Sequence, residues 1–252
     1  MAAAMMSVRG LSRDFRGFRA VDRVDLDIAR DSVHALVGPN GAGKTTLFNL
    51  LTGFLTPTAG RVELDGRDIT GLPPERIAGL GVARSFQITS LFPQLSAVEQ
   101  VELALQGHSG RGMAFWRSRR TMRRYREPAM RVLEQVGLED VAAVPGQELA
   151  YGRKRALELA LALALHPRVL LLDEPTAGMG LEDIDRTVEL IERVRRDRTV
   201  VMVEHNMSVV GRLADRVTVL TAGRVLVEGG YDEVRADPRV IDAYLGTGHA
   251  AR

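Results

Sequence analysis

The stretch Gly38-Pro39-Asn40-Gly41-Ala42-Gly43-Lys44-Thr45-Thr46 constrains this chain more than any other. It holds a glycine, four residues, then Gly-Lys-Thr, the pattern of a phosphate-binding loop. That pattern has meaning only between a strand and a helix. Val33-His34-Ala35-Leu36-Val37 reads as a short buried strand, and Thr46-Leu47-Phe48-Asn49-Leu50-Leu51 as the start of a helix with an apolar face. The glycines let backbone N–H groups turn inward and line a concave anion site. The positive end of the helix dipole adds to it. In such a loop Lys44 reaches the β- and γ-phosphates and the Thr45 hydroxyl ligates Mg2+. The bland alternative is a glycine-rich turn that happens to precede a lysine, and the flanking strand and helix weigh against it. The chain binds a nucleotide. What the nucleotide is for has to come from the other residues.

A length of 252 residues can bury a large core, as one large domain or two lobes. The 34 basic and 32 acidic side chains leave a formal charge of only +2, which gives no global reason to expect nucleic acid. There is no cysteine, so neither disulfides nor thiolate-bound metal hold the fold, as suits a reducing compartment. No apolar run approaches the ~20 residues that span a bilayer. Met1-Ala2-Ala3-Ala4-Met5-Met6 lacks the basic start and long apolar core of a signal peptide. The expectation is a cytoplasmic polypeptide that meets a membrane only through partners.

Taken in order, Val8 to Phe15 and Val21 to Ile28 read as strands around a turn at Gly17. Arg61 to Leu64 and Arg67 to Ile69 form a hairpin about Asp65-Gly66. Pro73-Pro74 opens a short helix, and Gly81 to Phe86 is a strand ending at Gln87. From Ser96 to about His166 the texture is helical. Ser96 and Glu99 make a capping box, Met130 to Val136 is amphipathic and stops at Gly137, and Ala156 to Leu165 is apolar. The α/β rhythm then resumes, with strands at Val169–Leu172, Thr199–Val203, Arg216–Leu220 and Arg224–Glu228 and helices at Leu181–Val194 and Val240–Leu245. This predicts an α/β core interrupted by a helical insertion.

Two strand ends supply further chemistry. Val169-Leu170-Leu171-Leu172 runs into Asp173-Glu174. A strand buried on both faces puts Asp173 at its carboxyl end, beside the phosphate loop of a neighbouring strand. There it can hold Mg2+ through water, while Glu174 orients or deprotonates the attacking water. A core strand ending in solvated acids is the alternative, and it loses ground once the phosphate loop is present. Val200 to Val203 leads into Glu204-His205 in the same way. His205 at that place either senses the γ-phosphate or is structural. Gln87 fits a contact with Mg2+ or the nucleophilic water, or a plain helix cap.

The assembled order is Gly38–Thr45, Gln87, Leu149-Ala150-Tyr151-Gly152-Arg153, Asp173-Glu174, His205. It resembles the nucleotide-binding subunits of ABC transporters over about Val8 to Gly246. The resemblance implies a P-loop NTPase core, that of an ABC ATPase, with an antiparallel β subdomain and an inserted helical subdomain. It implies one ATPase domain over 1–252, with a core lobe at about 1–87 and 167–252 and a helical subdomain at about 88–166. Such subunits pair head to tail, and each ATP lies between one phosphate loop and the other subunit's signature. Here the signature is Ala150-Tyr151-Gly152-Arg153, acting on the opposite subunit's ATP. The cofactors implied are ATP and Mg2+, the latter held by Thr45, Gln87 and Asp173. Glu174, His205 and Gln87 become the catalytic set. Phe15 matches the ring that stacks on adenine, with Val21 beside it, although either residue also suits a plain core.

Several features look like the ATPase subunits of importers for branched-chain or other hydrophobic amino acids or related amides. They are Tyr151-Gly152, Ala177-Gly178-Met179 after Asp173-Glu174-Pro175, Glu204-His205-Asn206-Met207, and the ending Asp237-Pro238-Arg239-Val240-Ile241-Asp242-Ala243-Tyr244-Leu245-Gly246. That branch implies a second, homologous ATPase subunit, two transmembrane permease subunits and an external solute-binding protein. It places the chain on the cytoplasmic face of the inner membrane. Two departures stand out: Ala150 and Arg153 replace the usual signature serine and glutamine, and Gly180, on the loop that the resemblance places across the dimer interface, replaces the usual Asp or Asn. We expect the site completed by this signature to turn over more slowly than its sister.

The run Arg117, Arg119, Arg120, Arg123, Arg124, Arg126 suits a solvated helix face, a contact with anionic lipid or the membrane subunit, or an RNA-binding patch. Two rival functions remain. One is a non-transport ABC ATPase of DNA repair, chromosome structure or translation, which needs long coiled coils or two ATPase domains; this chain has one phosphate loop and no sustained heptads. The other is the ATPase of a lipid or lipopolysaccharide exporter, which would share every catalytic residue.

Overall fold

The computed structural model describes residues 4–85, 91–108 and 119–245, with backbone alone at 108, 119–123 and 245. The chain opens with β1 (Ala4–Phe15) and β2 (Phe18–Ala29), paired antiparallel and bent by register shifts between Val8 and Asp14. Then come β3 (Val33–Val37), buried along its whole length, and α1 (Lys44–Leu51). β4 (Ala59–Leu64) and β5 (Arg67–Asp68) form the expected hairpin, with Asp65 and Gly66 both at positive φ in the turn. α2 (Pro74–Gly79) and β6 (Val82–Arg84) follow.

The helical stretch holds α3 (Ala97–His108), α4 (Arg119–Val136) and α5 (Tyr151–Leu163). Ser96 and Glu99 do form a reciprocal cap: the Ser96 N–H donates to Glu99 Oε2 at 2.9 Å. α4 tolerates Pro128 in its interior and is far longer than its apolar stripe from Met130 suggested. The α/β part resumes with β7 (Val169–Asp173), α6 (Leu181–Val194), β8 (Thr199–Val203), α7 (Met207–Leu213), β9 (Arg216–Thr221) and β10 (Arg224–Gly229). It ends in α8 (Tyr231–Ala236) and α9 (Pro238–Leu245).

Two sheets result. One is antiparallel, in the order β2-β1-β4-β5; the other is mainly parallel, in the order β10-β9-β3-β8-β7-β6. The larger sheet has a buried cluster on each face. Val33, Leu170 and Met202 pack with Val98, Leu133 and Leu157 of the helical stretch, while Leu36, Leu171 and Val201 pack with Leu47 and Phe48 of α1 and with the antiparallel sheet. Side chains alternate across β3, β7 and β8, which explains why these strands read as unbroken apolar runs. Each such side chain stabilises the fold by about 1.5–3 kcal/mol relative to exposure. The helical stretch and one face of the parallel sheet therefore share a single buried cluster, in which α5 and α6 take part.

One expectation is corrected. β7 does not neighbour β3; β8 lies between them and pairs in parallel with both. The phosphate loop and Asp173 thus flank the end of β8, and His205 emerges between them.

Candidate active site

The loop from β3 to α1 is shaped by close backbone approaches. Gly38 has φ +149° and a Cβ there would stand 2.2 Å from the Leu220 carbonyl oxygen. Gly43 has φ +98° and its Cβ would stand 2.4 Å from the Ala20 carbonyl oxygen. The turn between β9 and β10 braces the loop from outside. Gly223 N–H donates to the Ala42 carbonyl at 3.0 Å, and its own carbonyl accepts from Asp22 N–H at 2.8 Å. Pro39, Asn40 and Gly41 lie at the surface end of the loop.

Lys44 is only 6% exposed, and its Nζ donates to the carbonyls of Gly38 at 2.7 Å and Pro39 at 2.9 Å. Burial lowers its pKa, and the carboxylates of Glu174 and Asp173 oppose that shift. Thr45 is exposed and Thr46 half-buried in the first turn of α1.

Asp173 Oδ2 accepts from Arg84 Nη2 at 2.5 Å, and Arg84 Nη1 donates to Asn49 Oδ1 at 2.6 Å. The guanidinium also lies over the Phe48 ring, 5.7 Å from its centre. Arg84 therefore ties β6, β7 and α1 together beneath the phosphate loop. Mg2+ takes few protein oxygens and completes its shell with phosphates and water. An exposed Thr45 hydroxyl and a carboxylate with one oxygen outside the arginine pair fit that demand.

Glu174 sits at φ +48°, a left-handed backbone uncommon for a residue with a side chain. Its N–H donates to the Val203 carbonyl at 2.9 Å, which locks the turn against β8. His205 Nε2 is 2.9 Å from Glu174 Oε1. Between them Glu204, 3% exposed, accepts on Oε1 from the Thr176 N–H and hydroxyl, and on Oε2 from the N–H groups of His205 and Asn206.

The signature residues Tyr151, Gly152 and Arg153 form the first turn of α5, with Ala150 at the N-cap lacking any side-chain cap. The helix thus begins earlier than its apolar run implied, because its first turn is polar. Tyr151 Oη donates to the Ala177 carbonyl at 3.0 Å, and Arg153 is ion-paired with Asp140 at 2.9 Å instead of standing free beside Gly152. A pocket of about 420 Å3 lies between parts of α5 and α6, with Tyr151, Glu158, Asp183 and Leu190 in its wall. Burial pushes the Glu158 carboxyl up to about 7 against the pull of Arg155.

Phe15 is partly exposed, with the Arg13 guanidinium 4.7 Å above its ring, whereas Val21 is buried in the core. Gln87 and Arg117 lie outside the described residues, as do the side chains of Arg119, Arg120 and Arg123. Arg124 Nη2 contacts the Tyr125 hydroxyl, and Arg126 pairs with Glu102 at 3.5 Å. No group of three or more acidic, histidine or cysteine side chains among the described residues forms a metal cluster, and no described helix is long and apolar enough to cross a membrane.

Three neighbours of the site had no role assigned from the sequence: Arg84, Thr176 and Glu204. Each acts through a contact between elements distant in the chain, and only Glu204 carried a signal, as a carboxylate at a buried strand end.

A family model described as ABC transporter matches residues 21–177, and one described as branched-chain amino acid ATP-binding cassette transporter matches residues 224–250. The high-affinity branched-chain amino acid transport ATP-binding protein BraF of Pseudomonas aeruginosa is 40% identical, over 98% of this chain and 99% of BraF. The ADP conformation of MJ1267, an ATP-binding cassette of an ABC transporter, superposes with a TM-score of 0.84 at 25% identity, over 97% of this chain and 100% of that one. The dimeric cassette MJ0796 bound to ADP and Pi gives 0.75 at 25% identity, over 90% and 99%.

Proposed function

The chain belongs to the ABC transporter family of ATP-binding cassettes, and on that premise we propose that it is the ATP-hydrolysing subunit of an importer for branched-chain amino acids. The observation that carries the reading is the convergence of Lys44, at the start of α1, with Asp173, Glu174 and His205, at the ends of β7 and β8. The family-specific match at residues 224–250 and the likeness to BraF support the solute class.

In this reading the backbone of Gly38–Lys44 and the Lys44 ammonium bind the phosphates, once Nζ leaves the loop carbonyls. Thr45 and Asp173, with Gln87, would hold Mg2+, whose positive charge would offset the negative charge of the phosphate oxygens. Glu174 takes the proton of the attacking water, and His205 positions both the carboxylate and the γ-phosphate. Phe15 stacks on adenine. A core lobe of about 1–87 and 167–252 carries this machinery, and a helical lobe of about 88–166 presents Ala150–Arg153 to a partner's ATP.

The dimeric likeness supports a head-to-tail pair with a second, homologous ATPase subunit. Two permease subunits would then dock the pair at the cytoplasmic face of the membrane, with a solute-binding protein outside. The test is reconstitution of the assembled complex in vesicles. ATPase activity stimulated by leucine, isoleucine or valine with the binding protein is the expected result. Stimulation by a lipid and not by these amino acids would overturn it.

A further inference from the structure

We propose that Glu204 is a positioning residue that makes the loop after Glu174 and the loop bearing His205 move as one body, so that engagement of residues 177–180 by a partner subunit is felt at His205. This rests on the dimeric ATPase reading above. Glu204 is a charged side chain with 3% exposure, and a buried carboxylate of that kind is retained only where its oxygens are satisfied. Both are, and on opposite sides. Oε1 takes the Thr176 N–H at 3.0 Å together with the Thr176 hydroxyl. Oε2 takes the N–H of His205 at 2.8 Å and of Asn206 at 3.0 Å.

The two segments so joined are the ones the reaction needs in register. Thr176 lies two residues past Glu174 and directly before Ala177, whose carbonyl holds the signature Tyr151 hydroxyl. His205 reaches back to Glu174 at 2.9 Å. Asn206 caps α7 by accepting from Ser208 N–H at 3.1 Å, so the histidine side of the clamp is anchored on a helix. A displacement of the 177–180 loop therefore pulls on Thr176, then on Glu204, then on the His205 backbone. With the hydroxyl bond of the Thr176 tie lost and only its N–H bond left, His205 and Glu174 keep their places in the fold but respond together less tightly.

The test uses Thr176→Val, Thr176→Ser and Glu204→Gln in the assembled transporter. Gln at 204 keeps an oxygen for the His205 and Asn206 N–H groups and turns its amide toward Thr176, so it weakens the Thr176 side selectively. Thr176→Val and Glu204→Gln should each lower kcat at least tenfold, with KM for ATP within twofold of the parent. Thr176→Ser, which keeps the hydroxyl, should restore kcat to within twofold. The double variant Thr176→Val/Glu204→Gln should be no slower than the slower single, the non-additivity of one shared contact. Unchanged kcat in Thr176→Val, multiplying effects in the double variant, or a parallel rise in KM would overturn the clamp. A parent complex without ATPase activity would overturn the functional reading itself, a separate outcome read in the same experiment.

Discussion

His205 Nε2 and Glu174 Oε1 stand 2.9 Å apart, bridging the carboxyl ends of two adjacent parallel strands. The contact follows from topology: β8 lies between β3 and β7, so its end residue faces both the phosphate loop and the acidic pair. A carboxylate held this way, on a left-handed backbone pinned to Val203, has little freedom to wander from His205. Glu174→Gln keeps the shape and removes the proposed base. Its ATPase rate should fall by roughly 10²–10⁴-fold, the usual worth of general base catalysis, with ATP binding retained and the dimer trapped closed. Rate measurement beside equilibrium binding of a fluorescent ATP analogue separates the two, and near-normal turnover would reject the assignment.

Arg84 and Asp173 are the second relationship to probe. Both side chains are mostly buried, at 14% and 16% exposure, and Arg84 also holds Asn49 of α1. Arg84→Met keeps an apolar stem over Phe48 but strands the Asp173 charge. Breaking a buried pair from one side costs about 3–5 kcal/mol, and partial exposure places this one near the lower end. Urea denaturation should show a loss of about 3 kcal/mol, with part recovered in Arg84→Met/Asp173→Asn. A loss below about 0.5 kcal/mol, the range of neutral surface changes, would show the pair to be incidental.

Local chemistry was legible wherever it lay in one stretch of chain. The phosphate loop, the Asp65-Gly66 turn, the Ser96–Glu99 cap and the full extent of α6 all follow from spacing and turn residues. Pairings across the sheet were not legible, because β3, β7 and β8 carry interchangeable apolar runs with nothing to specify their order. For the same reason Arg84 gave no sign of its partner, 89 residues away. Short α7 and α8 were missed because their few buried residues make no helical period long enough to read. The apolar run of α5 begins only at Ala156, whereas the helix begins at Tyr151, because periodicity sees only the buried face.

Two buried groups predict opposite pH slopes. Burial pushes Glu158 up from 4.5 to about 7 and holds His34 down from 6.5 to about 4. Between pH 4.5 and 7 the folded Glu158 keeps a proton that the unfolded chain has released, so stability falls as pH rises. Between pH 4 and 6.5 the unfolded His34 binds a proton that the folded one rejects, so stability rises with pH. Where the windows overlap the two cancel. Glu158→Gln removes one of them, so unfolding free energy should then climb from pH 4.5 to 6.5 relative to the parent, at up to about 1.4 kcal/mol per pH unit. Parallel profiles for parent and variant would refute the Glu158 assignment.

Ala150 and Gly180 bear on whether the two ATP sites of a dimer work equally. Ala150 is the N-cap of α5 and Gly180 the N-cap of α6, and neither supplies a side-chain acceptor to its helix. Ala150→Ser would add a cap worth about 0.5–2 kcal/mol and Gly180→Asp a few tenths. Both changes therefore stabilise the isolated subunit, whatever they do to catalysis. The catalytic effect is different in kind, since in the proposed head-to-tail dimer a serine hydroxyl at the start of α5 would also donate to the partner's γ-phosphate. A hydrogen bond to a charged acceptor is worth about 1.5–3 kcal/mol, which corresponds to roughly a tenfold or greater gain if it is made in the transition state. Thermal melts of the subunit read the first effect and steady-state ATPase of the assembled complex reads the second. We expect the double variant to melt higher and to hydrolyse faster. A higher melting temperature with unchanged ATPase would leave the caps as helix chemistry alone and reject a slow composite site.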